Sequence, residues 1–215
     1  MISTVTPLKD SMERQPDLYR RVGKRAFDVS VACLALPVAA PVMVIVAVVI
    51  RLALGRDVVY RQRRAGLAGQ HFTMLKFRTM HPDRRQAQIS NGHEEDRRLN
   101  HKSPNDPRHT TLGLMLRRSG LDELPQIWNV VRGDMSLVGP RPELPVVVGR
   151  YAEWQHERHD VRPGITGLWQ VGDRGTVPMH EAVATDLEYV RTLSWRTDMK
   201  ILARTIPAVL RRTGA

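Results

Sequence analysis

The sequence predicts an α+β protein that is mostly helical, with a small β-hairpin and amphipathic helices that lie at a membrane interface. Three features of the 215-residue chain carry this prediction. Residues 29–50 contain no charged side chain and are numerous enough for a membrane helix. Residues 58–60 and 72–75 are short β-prone runs, and residues 196–212 place apolar side chains at helical spacing.

The charge-free run divides the chain into three parts. We predict a loose N-terminal tail at residues 1–21, a membrane-inserting hairpin at 22–56 and a larger domain at 57–215. The larger domain contains a polar segment at 81–109, whose composition indicates a loop or a partly disordered insert. The tail lacks an apolar run, so we expect no cleavable signal peptide.

The charge-free run favours a helix that enters the bilayer and returns to the same side. As a straight helix it would extend about 33 Å, which is sufficient to cross a bilayer. Pro37 and Pro41 each remove a helix hydrogen bond and predict a break in the middle of the run. Basic residues flank both ends, at 20–25 and 51–56, whereas a crossing helix normally has one basic side. A bitopic span and a buried core helix are the alternatives to this re-entrant hairpin.

Arginine dominates the charge of the chain. The formal net charge is +11, and 28 of the 33 basic residues are arginine. This balance fits an anionic partner, which can be a nucleic acid, an acidic membrane surface or a phosphorylated substrate. Cys33 is the single cysteine, so an intrachain disulfide is excluded.

Two adjacent carboxylates, Asp122 and Glu123, lie in an arginine-rich stretch at residues 117–141. Pro125 and Gly133 predict a short helix between them, because proline suits a first helical turn and glycine suits the position just after a helix. The dyad would then lie at the N-terminal end of that helix. Free backbone N–H groups and the helix dipole favour phosphate at such a position.

The dyad favours phosphoryl-transfer chemistry on a diphosphate. Two neighbouring carboxylates can hold Mg²⁺ together with substrate phosphates, and a carboxylate can also attack phosphorus. Nearby arginines can clamp the remaining phosphate oxygens by paired hydrogen bonds. The pattern also has a plainer explanation: Ser119 and Asp122 stand at capping-box spacing, and an acidic pair at a helix start complements the helix dipole.

The rest of the larger domain supplies further cations and helices. The basic segment 61–69 reads as the turn between the two β-prone runs, and Lys76 and Arg78 follow the second run. Helices are predicted at 144–159, 181–193 and 196–212. The last of these is basic and amphipathic, which suits an anionic membrane surface or the protein's own core.

Six short motifs occur in the order found in the bacterial sugar transferase family, the monotopic polyprenyl-phosphate phosphoglycosyl transferases. They are KRAFD at 24–28, KFRTM at 76–80, NDPR at 105–108, RRSGLDELPQ at 117–126, NVVRGDMSLVGPRP at 129–142 and PGITGLWQ at 163–170. Each motif is weak alone, whereas the ordered set is highly specific. The chain therefore resembles the minimal catalytic form of this family.

The resemblance implies an enzyme on the cytoplasmic face of the bacterial inner membrane. Members transfer a sugar-1-phosphate from a UDP-sugar to undecaprenyl phosphate and release UMP, which starts a glycan such as an exopolysaccharide or O-antigen. By this resemblance Asp122 attacks the β-phosphorus to form a phosphosugar-aspartyl intermediate, and Glu123 and Asp122 hold the Mg²⁺ cofactor. The implied phosphate-binding residues are Arg117, Arg141, Lys76 and Arg78.

The resemblance also bears on topology and partners. Ala40 and Pro41 match the family's helix-breaking Ser-Pro pair, which supports a monotopic hairpin, although alanine lacks the serine hydroxyl that could bond a freed backbone group. The implied partners are the UDP-sugar, undecaprenyl phosphate and membrane lipids, without nucleic acid. Membrane enzymes of this size can also dimerise, so the expected partners include a second copy of the chain in a homodimer.

Two other functions agree with part of the sequence. A basic, membrane-anchored nucleic-acid-binding protein agrees with the charge, but the chain has no recognised nucleic-acid-binding signature and only 5% aromatic residues. A catalytically silent scaffold of the same fold is disfavoured by the intact dyad and by Arg141. The shared motifs serve the diphosphate and the lipid, so they do not identify the sugar.

Overall fold

Helices make up most of the structure, a computed structural model that describes residues 18–81, 108–172 and 183–210. The helices are α1 (Lys24–Leu54), α2 (Thr111–Ser119), α3 (Gln126–Arg132), α4 (Pro145–Val148), α5 (Leu168–Val171), α6 (Val183–Thr192) and α7 (Trp195–Leu210). The strands are β1 (Val59–Ala65), β2 (His71–Phe77), β3 (Ser136–Val138) and β4 (Gly164–Thr166). A π-helical turn lies at Tyr19–Gly23, and 3₁₀ segments lie at Leu67–Gly69, Leu121–Glu123 and Glu153–Asp160. The mostly helical α+β class is confirmed.

The predicted apolar segment forms one continuous helix, α1, which contains both Pro37 and Pro41. Together with the preceding turn it is the one segment, within the described ranges, that is long and apolar enough to cross a membrane. Only 11% of its most apolar window is buried, which argues against a core helix. The prediction of one apolar helix fit for a membrane is confirmed, while its re-entrant path stays a prediction.

Strands β1 and β2 form an antiparallel hairpin, as predicted, but both strands are longer than expected. The pairing runs from Val59 opposite Phe77 to Ala65 opposite His71. The first five residues of the predicted basic turn, 61–65, therefore belong to β1. The connection between the strands is residues 66–70, and a 2.7 Å hydrogen bond from the N–H of Gly66 to the carbonyl of Gln70 closes it. Arg61 and Arg63 of β1 lie exposed on one face of this ribbon, whereas Arg64 lies on the other face and is mostly buried.

Strands β3 and β4 form a short parallel pair. Ser136 lies opposite Gly164, and Val138 lies opposite Thr166. The backbones continue in close approach beyond β3: a Cβ added at Gly164 would lie 2.1 Å from the backbone nitrogen of Gly139. Glycine is therefore required at the start of β4, because the chain that leaves β3 toward Arg141 passes directly against it.

The C-terminal half departs from one predicted helix and agrees with the others. Residues 144–159 form α4 and a separate 3₁₀ segment, Glu153–Asp160, instead of one helix. Helices α6 and α7 match the predicted helices at 181–193 and 196–212, except that residues 181–182 and 211–212 lie outside the described ranges. Most of the predicted tail, at residues 1–17, and of the polar segment, at 82–107, also lie outside them.

The described residues form three apolar clusters, and helix α1 contributes its first half to one of them and its second half to another. Ala32 packs with Met74, Val130 and Met135. Val46 and Ile50 pack with Phe77 and Leu116. The third cluster joins β3 to the C-terminal helices through Val138, Tyr189, Leu193 and Ile201. The two ends of α1 are therefore held by the domain that also carries the dyad.

Candidate active site

The carboxylate dyad lies on a 3₁₀ turn, Leu121–Glu123, between α2 and α3. Gly120 permits this turn because its φ is +72°, a conformation that other residues rarely adopt. The hydroxyl of Ser119 donates back to the carbonyls of Met115 and Leu116 within its own helix, at 3.0 Å each. The turn has no side-chain cap, so the capping-box explanation of the dyad is wrong.

Helix α3 has the bounds that the flanking proline and glycine predict. Pro125 stands immediately before it, and Gly133 follows it with a φ of +96°. The dyad lies just before the N-terminal end of α3, as predicted, on the 3₁₀ turn that precedes Pro125. This placement lets Asp122 point into the protein while Glu123 stays half-buried.

Asp122 is the most buried member of the site, with 4% of its surface exposed. Its pKa is raised to about 6, chiefly by burial and then by the neighbouring charge of Glu123. Lys76, Arg141 and Arg117 act in the opposite direction and lower the pKa. Three of the four predicted phosphate-binding residues are thus close enough to stabilise the ionised form of this carboxylate.

Glu123 forms an ion pair with Arg141, whose Nη2 donates to Oε1 at 2.7 Å. The charge of Glu123 is the main reason that the pKa of Arg141 is raised. Arg141 reaches the dyad from the segment that follows β3, in which Gly139 is bound to Thr166 by a 2.8 Å backbone hydrogen bond. The parallel strand pair thus aims this arginine at the dyad.

Lys76 extends from β2 toward the same carboxylates. Burial lowers its pKa to about 8, with a further contribution from Arg141, while Glu123 and Asp122 oppose the shift. The strand beside it is fixed by Asn129 of α3, which accepts from the N–H of Leu75 at 3.0 Å and donates to the carbonyl of Thr73 at 2.8 Å. Sequence reasoning missed this fully buried asparagine.

Arg117 and Arg78 occupy different environments. Arg117, on α2, lies 3.4 Å from His109 and acts electrostatically on Asp122. Arg78 instead donates to the carbonyl of Leu54 at the end of α1 and lies 3.8 Å from the carboxylate of Asp57. The structure therefore brings Lys76, Arg117 and Arg141 to the dyad and places Arg78 against the end of the apolar helix.

Two further arginines near the site were missed by the sequence analysis. Arg64 of β1 has its pKa lowered to about 10, first by burial, and the charges of Arg141 and Glu123 also act on it. Arg158 is 2% exposed and donates to the carbonyl of Arg141 at 2.7 Å. With 28 arginines in the chain, no local signal distinguishes these two from the exposed ones.

The two carboxylates of the dyad are donors of the type that Mg²⁺ takes from proteins. Across the described ranges, no cluster of three or more His, Cys, Asp or Glu side chains could hold a metal ion. Asp122 and Glu123 are adjacent and electrostatically coupled. Two carboxylates with substrate phosphates are the usual ligands of Mg²⁺, so the residues present fit that ion.

A buried carboxylate surrounded by cations suits a site that handles phosphate, and comparison with known proteins agrees. A family model described as bacterial sugar transferase matches residues 19–212. The chain is 39% identical over 199 residues to the exopolysaccharide production protein ExoY of Sinorhizobium fredii, covering 90% of this chain and 88% of that protein. The chain belongs to the bacterial sugar transferase family, as its motifs predicted.

Two further relatives carry names that specify a reaction. The chain is 40% identical over 205 residues to the UDP-glucose:undecaprenyl-phosphate glucose-1-phosphate transferase of Caulobacter vibrioides, covering 89% of this chain and 71% of that protein. It is 38% identical over 201 residues to the UDP-galactose-lipid carrier transferase of Erwinia amylovora, covering 89% of this chain and 41% of that protein.

Proposed function

We propose that this protein transfers a sugar-1-phosphate from a UDP-sugar to undecaprenyl phosphate and releases UMP, at the cytoplasmic face of the bacterial inner membrane. Membership of the sugar transferase family and the names of the Caulobacter and Erwinia relatives support transfer of a sugar phosphate to a lipid carrier. The observation that carries the proposal is the buried Asp122 among three cations, next to the paired Glu123 and Arg141.

Asp122 is the proposed nucleophile. Its pKa of about 6 leaves the carboxylate ionised near neutral pH. Burial also removes much of the water that would otherwise solvate the carboxylate and weaken it as a nucleophile. A carboxylate oxygen of Asp122 attacks the β-phosphorus of the UDP-sugar, and the bond from that phosphorus to the bridging oxygen breaks. UMP leaves with the electron pair, and a phosphosugar-aspartyl intermediate remains.

The lipid phosphate resolves this intermediate. An oxygen of undecaprenyl phosphate attacks the same phosphorus, the acyl-phosphate bond breaks, and the Asp122 carboxylate is regenerated. Two displacements mean that UMP leaves before the lipid phosphate enters, so two bulky anions need not share the pocket. A half-buried Glu123 beside the nucleophile suits proton handling as the two anions exchange.

Lys76, Arg117 and Arg141 are the proposed clamp for the phosphates. Their charges act on the buried carboxylate, so they lie close to the position proposed for the transferred phosphorus. Guanidinium groups offer paired donors to phosphate oxygens, and Lys76 adds a compact charge. Arg78, which follows β2 and donates to the carbonyl of Leu54 at the end of α1, is proposed as a further phosphate contact outside this clamp. Asp122 and Glu123 would hold Mg²⁺, which when bound offsets the negative charge of the diphosphate.

A monotopic, re-entrant path is the proposed topology of α1. Before the apolar run, Arg25 donates to the carbonyls of Val130 and Val131 at 2.6 and 3.0 Å. After the run, the carbonyl of Leu54 accepts from Arg78. A bitopic span would move one end to the far side of the bilayer, about 30 Å away, and would break one set of these contacts. Contacts at both ends with the same domain therefore support the hairpin.

Exposed apolar side chains support attachment of the domain to the membrane surface. The middle of α1 exposes Leu34 and Val38, and α7 exposes Trp195, Ile206 and Val209. Tryptophan is favoured at the headgroup level of a bilayer, and an amphipathic helix with basic residues lies flat on an anionic surface. The site is then held near the surface, where a soluble donor and an embedded acceptor can both reach it.

Detection of the covalent intermediate tests the proposal. Purified protein in lipid nanodiscs would receive Mg²⁺ and one of a panel of UDP-sugars, without the lipid acceptor. We expect UMP release in a burst equal to the amount of enzyme, and a mass increase of the protein by one sugar phosphate. Asp122→Asn should abolish both signals, whereas Asp160→Asn, which removes an exposed carboxylate, should preserve them.

The alternatives give different results in the same experiment. A full burst from Asp122→Asn would remove Asp122 as the nucleophile. The absence of a burst, followed by turnover once undecaprenyl phosphate is added, would indicate direct transfer between the two substrates. Silence in both conditions, from folded protein and a complete panel, would favour a catalytically silent scaffold. The sugar that produces the burst would identify the donor.

A further inference from the structure

Two arginines, Arg158, which is buried, and Arg64, which is mostly buried, hold consecutive carbonyl groups of the Arg141 turn, residues 139–142. Arg158 donates from Nη2 to the carbonyl of Arg141 at 2.7 Å. Arg64 donates from Nη1 to the carbonyl of Pro142 at 3.0 Å. These donors come from two different elements, the 3₁₀ segment Glu153–Asp160 and strand β1, so the turn is held from both sides.

Each arginine is itself fixed by polar partners. Arg158 pairs with Asp186 of α6 at 2.6 Å, and it donates from Nη1 to the hydroxyl of Tyr151 at 2.8 Å. Arg158 and Asp186 are 2% and 4% exposed. Arg64 lies 3.6 Å from Glu143 and donates to the side-chain carbonyl of Gln62. A guanidinium group held in this way presents its remaining donors in a fixed direction.

We infer that Arg158 and Arg64 are positioning residues that orient Arg141 for phosphate binding, an inference that rests on the proposed function. A bound carbonyl fixes the plane of its peptide group. The bound carbonyl of Arg141 follows directly on the Cα that carries its side chain, and the bound carbonyl of Pro142 fixes the next peptide group. The direction in which the Arg141 side chain leaves the backbone is therefore fixed. A donor that is oriented before the substrate arrives costs less reorganisation when charge develops.

The molecule contains a matched control for Arg158. Arg191 of α6 forms a 3.6 Å ion pair with Glu157, so it joins the same two elements as the Arg158–Asp186 pair. Both partners of that pair are about half exposed, and the pair lies on the surface. For Arg64 the control is Arg63, which is its neighbour on β1 and is exposed to solvent. These controls separate general stabilisation from orientation of Arg141.

Kinetics and binding of conservative variants test the inference. The readouts are kcat/KM for the UDP-sugar and the dissociation constant of UDP with Mg²⁺, measured by calorimetry in nanodiscs. We expect Arg158→Lys and Arg64→Lys each to lower kcat/KM by about 10- to 100-fold, the range of a lost hydrogen bond from a charged donor, and to weaken UDP binding. Arg191→Lys and Arg63→Lys should stay within about twofold of the wild type.

A double-mutant cycle with Arg141→Met distinguishes orientation from a purely structural role. If Arg158 acts through Arg141, Arg158→Lys has little further effect on UDP binding once Arg141 is gone. If the losses in UDP binding from Arg158→Lys and Arg141→Met multiply in the double variant, the inference is wrong. It is also wrong if Arg191→Lys weakens UDP binding as much as Arg158→Lys does. Should Arg158→Lys fail to fold, the cycle with Arg64→Lys, on a different element, gives the same decision.

The two readouts also keep this inference separate from the proposed function. A wild-type protein that binds UDP but transfers no sugar phosphate contradicts the proposed reaction, and the binding cycle still decides whether the two arginines act through Arg141. A wild-type protein that binds no UDP overturns both proposals.

Discussion

Lys24 of α1 forms a 2.7 Å ion pair with Asp198 of α7, across 174 residues of sequence. Asp198 is fully buried and also accepts hydrogen bonds from Tyr19 and Tyr189. The Tyr189 hydroxyl donates as well to the carbonyl of Val138 in β3. One carboxylate thus links the start of the apolar helix, the C-terminal helix and the strand that leads to Arg141.

Removal of the charge at this junction should destabilise the protein strongly. Asp198→Asn leaves the Lys24 ammonium buried without its closest counter-ion, and the loss of one partner of a buried pair typically costs about 3–5 kcal/mol. We expect a lower thermal unfolding midpoint in detergent, measured by intrinsic fluorescence. The control is Asp57→Asn, which removes an exposed carboxylate paired with Arg78 at 3.8 Å and should cost less than about 1 kcal/mol. Equal midpoints for the two variants would contradict the importance of this junction.

The pH dependence of donor turnover should follow the two shifted groups of the site. Asp122 must be ionised to attack, so kcat/KM should fall as the pH drops below about 6, its pKa. Lys76 must be protonated to bind phosphate, and its lowered pKa of about 8 predicts a second fall above that pH. The profile should therefore be bell-shaped between these limits.

Lys76→Arg isolates the basic limb of this profile. An arginine does not lose its proton in the accessible range, so the fall above pH 8 should disappear while the acid limb remains. Lys200→Arg, on the exposed face of α7, should leave both limbs in place. A basic limb that persists in Lys76→Arg would assign it to another group.

The features that the sequence predicted well are those with local signals. The proline and glycine around α3 defined its bounds, since both residues act through their own backbone conformation. The position of the dyad within the 3₁₀ turn was not predictable, because Gly120 suits the end of one helix and could equally lie in the first turn of a helix that Ser119 and Asp122 cap. The hydroxyl of Ser119 bonds within α2 instead, and only the folded chain decides between these hydrogen bonds.

The features that the sequence did not predict depend on contacts between distant segments. Lys76 and Arg78 are two residues apart, so in a continuous strand they would lie on the same face. Because β2 ends at Phe77, Lys76 lies near the dyad while Arg78 donates to the carbonyl of Leu54. Arg64 and Arg158 differ from the exposed arginines only in what packs around them. The length of β1 was underestimated since its basic residues resemble a turn, whereas pairing with β2 extends the strand to Ala65.

Close packing between α2 and the chain that follows β2 predicts a strong effect of substitution at Gly113. A Cβ added there would lie 1.7 Å from the carbonyl oxygen of Thr79, so Gly113→Ala must push α2 away from the chain that follows Lys76. Overpacking of this kind costs about 1–3 kcal/mol or more. We expect a lower unfolding midpoint together with reduced donor turnover, since α2 also carries Arg117. Gly149→Ala is the control, because its Cβ would meet no atom closer than 3.5 Å.

The same two assays give the result that would contradict this argument. A Gly113→Ala protein with a wild-type midpoint and wild-type turnover would mean that α2 can shift without cost. In that case the position of Arg117 relative to the dyad would not depend on the contact with Thr79.

The contacts at both ends of α1 predict that residues before and after the apolar run lie on the same side of the membrane. Arg21 and Arg56 are exposed at its two ends, so Arg21→Cys and Arg56→Cys, made one at a time in a Cys33→Ser background, should react with a membrane-impermeant maleimide only in inverted vesicles. Pro41→Ala restores a helix hydrogen bond and should increase the fraction of Arg21→Cys protein labelled in intact spheroplasts. Labelling of the two positions from opposite sides, without the Pro41 change, would establish a span and contradict the hairpin. If Pro41→Ala leaves the labelling of Arg21→Cys unchanged, the proline does not determine the path of α1 through the membrane. The contacts of Arg25 and Leu54 with the domain would then determine it.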